Sequence, residues 1–295
     1  MLRPLCASGF FRFCKVSENL SDAALLLVGH GSTVNASSAA PVCLHAGALR
    51  QRGLFAQVRE AFWKQEPYVR QVLRGLSAPR VFIVPMFVSE GYFTGEVIPR
   101  ELGFCRPGET HFPRVRQHGG QTLYYCGPVG THPAMTDVLL ARACGIVQTF
   151  PFPRAPKPSD TALFIAGHGT TRNEDSRKAI EQQADFIRDR RLYAEVHAVF
   201  MEEEPRVGDC CRLARARNIV MVPFFISDGQ HVCQDIPVML GVPGRDARER
   251  LKQGQPAWRN PTERDGKRIW YTAAIGGEPG LAGVILERVR EAAAA

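Results

Sequence analysis

Two histidines and a run of carboxylates in the C-terminal half could do chemistry together. His168 stands in Gly167-His168-Gly169, after the apolar run Thr161 to Ala166. Glu202-Glu203-Glu204 follows Val196 to Met201, and His231 ends Asp228-Gly229-Gln230-His231, just beyond Ile219 to Phe225. Neutral imidazole is a borderline donor for first-row divalent ions, and its ordinary pKa near 6.5 also lets it take up or release a proton at neutral pH. A neighbouring carboxylate can orient such a ring and stabilise its cation. Each piece has a purely structural reading too: a glycine-bounded turn, a surface histidine, a solvated helix start. The weight lies on their conjunction.

They meet only if the chain alternates strands with helices. Short apolar runs stopped by glycine read as strands buried on both faces, whereas Ala179, Ile180, Ala184 and Ile187 fall on one face of a helix over Asp175 to Arg190. The pattern predicts a second helix near Arg206 to Ala216, a short helix around Ile236 to Leu240, a charged insert from Arg245 to Asp265, a fourth strand at Arg268 to Ala273 and a closing helix at Leu281 to Glu291. Strands joined by helices cross over into a parallel sheet. Ligands bind such sheets at the carboxyl ends of strands, near the point where strand order reverses. With the first strand between the second and third, the three polar turns share one rim, and the glycines beside each histidine permit close approach of a bulky ligand.

The unit occurs twice. A constant shift of 138 lays Ala23 to Gly103 on Thr161 to Gly241 with 29 identities in 81 positions, too many for unrelated segments, so one supersecondary unit has been duplicated. His168 has a partner in His30, but His231 corresponds to Phe93, and Glu202 and Glu203 to Lys64 and Gln65. Glu204-Pro205 is kept as Glu66-Pro67, which suits a helix start. The copy-one counterparts of the last strand and helix are Thr122 to Cys126 and Ala134 to Ala143. The expected organisation is an N-terminal tail (1–20), an N-terminal lobe (21–150), a Pro-rich linker (151–158) and a C-terminal lobe (159–295). Each lobe is expected to be α/β, a four-stranded parallel sheet flanked by helices, with a cleft between the two.

The chain has 295 residues, 45% of them apolar, enough for two cores, and a formal net charge of +8. Lys and Arg are scattered rather than clustered, which favours an anionic small molecule over a nucleic acid. Nine cysteines without a CxxC spacing suggest reduced thiols and a cytoplasmic protein. No signal-peptide core or membrane-length apolar stretch occurs.

The apolar strand followed by Gly-His-Gly-Ser/Thr, the Phe-x-Glu near a Pro, and above all Val222 to Pro237 (Val-Pro-Phe-Phe-Ile-Ser-Asp-Gly-x-His-x-x-x-Asp-Ile-Pro) resemble the class II tetrapyrrole chelatases. The specific resemblance is to the sirohydrochlorin cobaltochelatase and ferrochelatase family of cobalamin and sirohaem synthesis. It implies a lyase that inserts Co²⁺ or Fe²⁺, with Ni²⁺ a further candidate, into sirohydrochlorin or a related anionic tetrapyrrole. The metal is then a substrate and no cofactor is permanently bound. Position by position, the resemblance makes His168 and His231 the metal-binding and catalytic histidines and Glu202 their acidic partner, with Glu203 an open alternative. The N-terminal lobe would be catalytically silent, and His30, Phe93, His132, Arg172 and Gly229 would face the substrate, as would arginines such as Arg177. Two histidines rather than four closed ligands leave positions open for handing the metal on. A monomer or homodimer without membrane or nucleic-acid partners is expected.

A non-catalytic metal or tetrapyrrole carrier of the same fold is the alternative, but a carrier has no need of an open metal site beside a base. A nucleic-acid role lacks a basic stripe interleaved with aromatics. A phosphohistidine hydrolase lacks the arginine before its histidine, since Ala166-Gly167 precedes His168.

Overall fold

All seven residues of Ala23–Gly29 are buried and form a central strand, β1, as an unbroken apolar run covered on both faces should. In the computed structural model, which describes residues 19–33, 35–109, 111–169 and 174–295, β1 is followed by α1 (Ala40–Gln51), β2 (Gln57–Phe62), α2 (Val69–Arg74), β3 (Arg80–Pro85), α3 (Ile98–Glu101), β4 (Val115–His118), β5 (Gln121–Tyr125) and α4 (Met135–Thr149). The second copy runs β6 (Thr161–Gly167), α5 (Glu174–Asp189), β7 (Glu195–Phe200), α6 (Cys210–Leu213), β8 (Asn218–Pro223), α7 (Ile236–Met239), α8 (Gly244–Lys252), β9 (Thr262–Arg264), β10 (Lys267–Tyr271) and α9 (Leu281–Ala294). The expected tail, apart from Asn19 and Leu20, lies outside the described residues, as does Arg172.

The sheets are ordered β2-β1-β3-β5-β4 and β7-β6-β8-β10-β9. The first strand of each lies between the second and third and pairs parallel with both, so the polar turns after β6, β7 and β8 leave the same edge of one sheet. Each sheet has five strands rather than the expected four. The extra strand is a short antiparallel edge, β4 on β5 and β9 on β10. The tight turns that make these hairpins are visible in the sequence: Gly119-Gly120 and Asp265-Gly266 all have positive φ, as a two-residue hairpin turn requires. The predicted second helix forms in a shortened version. A 3₁₀ turn at Val207–Asp209 runs directly into the four-residue α6.

The described residues divide into two compact units, and neither ends where its repeat ends. One contains residues 19–135 together with Pro279–Ala295, the other Thr136–Glu278. The compact units thus differ from the expected lobes bounded at 150 and 159, because α9 packs on the sheet of the first repeat and α4 groups with the second. In the N-terminal unit α9 buries Leu281, Val284, Ile285, Leu286 and Val289 and lies against α1, β3 and β5. Its Arg288 donates to the Pro128 carbonyl at 2.8 and 3.0 Å and to Thr131 Oγ1 at 2.6 Å. In the C-terminal unit α4 docks through Thr136 Oγ1, which donates to Gln183 Oε1 at 2.9 Å, and through the Asp137–Arg190 and Arg142–Glu278 ion pairs. The Pro-rich linker runs along this unit, where the Phe150 and Phe152 carbonyls accept from Trp270 and Arg268.

Cys43, Cys105, Cys126, Cys210, Cys211 and Cys233 are free thiols. Cys144 is disulfide-bonded, contrary to the expectation that every thiol is reduced. Among the described residues no helix is long and apolar enough to cross a membrane.

Candidate metal centre

β6 delivers His168 to the rim between two closely packed glycines. A Cβ on Gly167 would lie 1.9 Å from Ile180 Cδ1, and Gly169, at φ +61°, would place one 2.7 Å from Phe200 Cβ. The Gly169 carbonyl accepts a hydrogen bond from His168 Nδ1 at 3.0 Å. A carbonyl cannot donate, so Nδ1 carries the proton and the Nε2 lone pair is free.

His231 comes from the turn after β8. It begins a π-helical turn, His231–Asp235, whose backbone is held by the buried Tyr271 hydroxyl donating to the Val232 carbonyl at 2.7 Å. The Gly229 carbonyl accepts from the Val232 and Cys233 amides, so Gly229, expected at the substrate, opens this turn. His231 Nδ1 lies 2.8 Å from Asp235 Oδ2. The carboxylate accepts, so His231 too presents Nε2 as a lone pair.

The two rings meet. Their centres are 5.0 Å apart at an interplanar angle of 81°. An ion about 2 Å from each Nε2 lies roughly 3.2 Å from each ring centre, which puts two cis imidazoles about 4.5–5.2 Å apart. Glu202 Oε1 stands 3.8 Å from His168 Nε2 on an exposed side chain. No three His, Cys, Asp or Glu side chains among the described residues form a ready-made cage; the rim is an open pair of imidazoles with a carboxylate beside it. Cys233 adds no thiolate, because burial pushes its pKa up and its Sγ donates to the Asp228 carbonyl.

Glu202 and Glu203 separate in space. Glu203 is only 15% exposed and is held 3.1 Å from Arg177 Nη1, while the Arg177 guanidinium lies 4.8 Å from the centre of the Phe200 ring. Glu203 is an internal strut, and Arg177, bound also to Glu181, is not a free cation for substrate. Glu204 is exposed and pairs with Arg206, ahead of the 3₁₀ turn.

The remaining predicted residues divide. His30 and Phe93 stand together in the N-terminal lobe, ring centres 4.7 Å apart, and His30 Nδ1 donates to the Gly31 carbonyl at 2.9 Å as its sister does. Burial, with a smaller contribution from Lys64, lowers the His30 pKa. His132, expected at the substrate, has both ring nitrogens engaged: Nδ1 accepts from the Ala134 amide at 3.0 Å and Nε2 faces Glu291 Oε1 at 3.3 Å.

Sequence reading passed over Asp235, although the duplication marks it. The residues facing His231 and Asp235 in copy one are Phe93 and Val97, so the pair is present or absent together. Asp235→Leu is expected to weaken Co²⁺ binding about 10–100-fold by freeing the ring to turn and change tautomer, with Asp235→Asn retaining part of the affinity; a Co²⁺ titration of the metal-free chain measures both.

The CbiX family model matches residues 24–145 and again 162–292. The chain belongs to the CbiX family. This CbiX chain is 43% identical over 281 residues, 92% of each sequence, to a Halobacterium salinarum protein named probable sirohydrochlorin cobaltochelatase. Among solved structures it is similar to a Deinococcus radiodurans multi-domain protein described as having structural similarity to chelatases and two additional novel domains (TM-score 0.73, 32% identity). The match covers 92% of this CbiX chain and 55% of that one. It shares its fold with Bacillus subtilis SirB, described with Fe³⁺ (TM-score 0.63, 17% identity, 92% and 96% covered).

Proposed function

We propose that this chain is a sirohydrochlorin chelatase, a lyase that inserts Co²⁺ or Fe²⁺ into the tetrapyrrole, with the chemistry at the rim of the C-terminal lobe. The observation that carries the reading is the approach of His168 and His231 to 5.0 Å in a family member whose 43% identical relative bears that activity in its name.

Insertion requires that water be stripped from the ion, that two pyrrole protons leave and that four ring nitrogens replace the metal's first ligands. His168 and His231, each with Nδ1 hydrogen-bonded, offer two neutral nitrogens to the incoming ion and leave its other positions open. Two neutral donors hold the dication less tightly than a set of anionic ligands would, which suits an ion that must be passed on. Glu202, 3.8 Å from His168 and well exposed, is placed to accept a departing pyrrole proton or to stabilise the imidazolium that takes one. The proton count closes, since the dication enters as two protons leave and the macrocycle keeps its charge.

The test is an anaerobic assay of metal-free sirohydrochlorin with Co²⁺, Fe²⁺ or Ni²⁺, followed by absorbance. Metal-dependent conversion of the spectrum at catalytic protein concentration is the expected result. Binding of sirohydrochlorin with a spectrum that metal leaves unchanged would assign the chain to carriage instead.

A further inference from the structure

The N-terminal lobe has not merely lost the metal site; the same rim has been rebuilt with rings and a cation. His30 follows β1, Trp63 and Lys64 follow β2, and Phe93 opens the π-helical turn Phe93–Val97 beyond β3. Their ring centres form a closed cluster: His30–Phe93 4.7 Å, Trp63–Phe93 5.0 Å and His30–Trp63 5.6 Å. Tyr92, 58% exposed, extends it at 5.6 Å from Phe93. Lys64 Nζ lies 5.2 Å from the centre of the Trp63 ring.

The matching positions of the other lobe hold Met201, Glu202 and His231. The charge reverses at one of them, a lysine standing where the sister has an acid, and the other two carry flat rings without a metal-binding lone pair, a phenyl ring opposite the imidazole and an indole opposite the thioether. Solvent-facing aromatic surface is costly to keep in water unless something covers it. Here it adjoins the Lys64 ammonium and His30, whose pKa burial lowers.

We propose that this rim is a binding platform for a planar conjugated macrocycle bearing carboxylates, its face resting on Trp63, Phe93 and Tyr92 and one carboxylate paired with Lys64. The proposal rests on the chelatase reading and adds to it a division of labour: the C-terminal rim handles the metal, and its duplicate, remade, recognises the ring. Edge and face contacts of this kind add to plain area burial, and the Lys64 contact supplies a charge-dependent part.

The test uses residues the duplicated fold already accepts. Trp63→Met and Lys64→Glu carry the sister copy's side chains, so both variants should fold, which circular dichroism and thermal melting verify. Metal-free sirohydrochlorin is titrated into the full chain and KM for it is measured. Each variant is expected to raise Kd and KM about tenfold, with the Lys64→Glu effect shrinking as salt rises. Arg74→Glu, the same charge reversal on the exposed end of α2, should leave Kd unchanged. If the wild-type chain inserts metal while both variants bind sirohydrochlorin as tightly as wild type, the platform is wrong and the chelatase reading stands. If wild type neither binds nor metallates the macrocycle, both fall.

Discussion

Replacing His231 with alanine is expected to reduce Co²⁺ insertion into sirohydrochlorin by more than about 100-fold, beyond the 10–100-fold that loss of an outer-shell partner costs a metal site. His168→Ala should match it, because the two rings stand 5.0 Å apart and either nitrogen alone holds the ion by one bond. His30→Ala is expected to do far less and to do it differently, raising KM for the tetrapyrrole. His30 has the same Gly-His-Gly turn and the same bond from Nδ1 to the next carbonyl as His168, so it is an internal control that differs only in its neighbours, Phe93 and Lys64 in place of His231 and Glu202. Steady-state kinetics of the three variants decide the matter. Equal losses from all three would defeat the assignment of chemistry to one lobe.

Truncating the core side of α9 is expected to loosen the N-terminal sheet, although α9 follows the C-terminal one in the chain. Ile285 is fully buried, and its replacement by alanine should cost about 2–5 kcal/mol. Native-state hydrogen exchange would locate that loss. Because α9 packs on α1, β3 and β5, the amides of β1, β3 and β5 should exchange faster while those of β6, β8 and β10 hold their protection. Faster exchange confined to β8 and β10 would return α9 to its own repeat and restore the boundaries read from the sequence. The reciprocal substitution, Leu139→Ala on the buried face of α4, should loosen the C-terminal sheet.

Much of the rim can be read from residue types alone. Glycine stops each apolar run, strand order follows from the crossovers, and comparison of the copies points to His231 and Glu202 as features of one lobe. The same comparison contains Asp235 against Val97 and Trp63 against Met201, signals that acquire meaning only when a 2.8 Å bond and a ring cluster are seen. The choice between Glu202 and Glu203 is invisible in sequence, since adjacent carboxylates look alike until Arg177, twenty-odd residues earlier on another element, takes one of them.

By itself the sequence determined the repeated βα unit, its parallel sheets and the lobe that carries two histidines, because apolar runs, helical periodicity and glycine turns act over a few residues and leave local marks. Only tertiary structure decided that α9 covers the sheet of the first repeat, which carboxylate stays beside His168, and that both nitrogens of His132 are engaged by Ala134 and Glu291. The reason is degeneracy: duplication made the two sheets nearly equivalent partners for an apolar helix face, and hydrophobic burial is non-directional. A choice between such partners rests on contacts between residues far apart in the chain, such as Arg288 with Pro128 and Arg142 with Glu278.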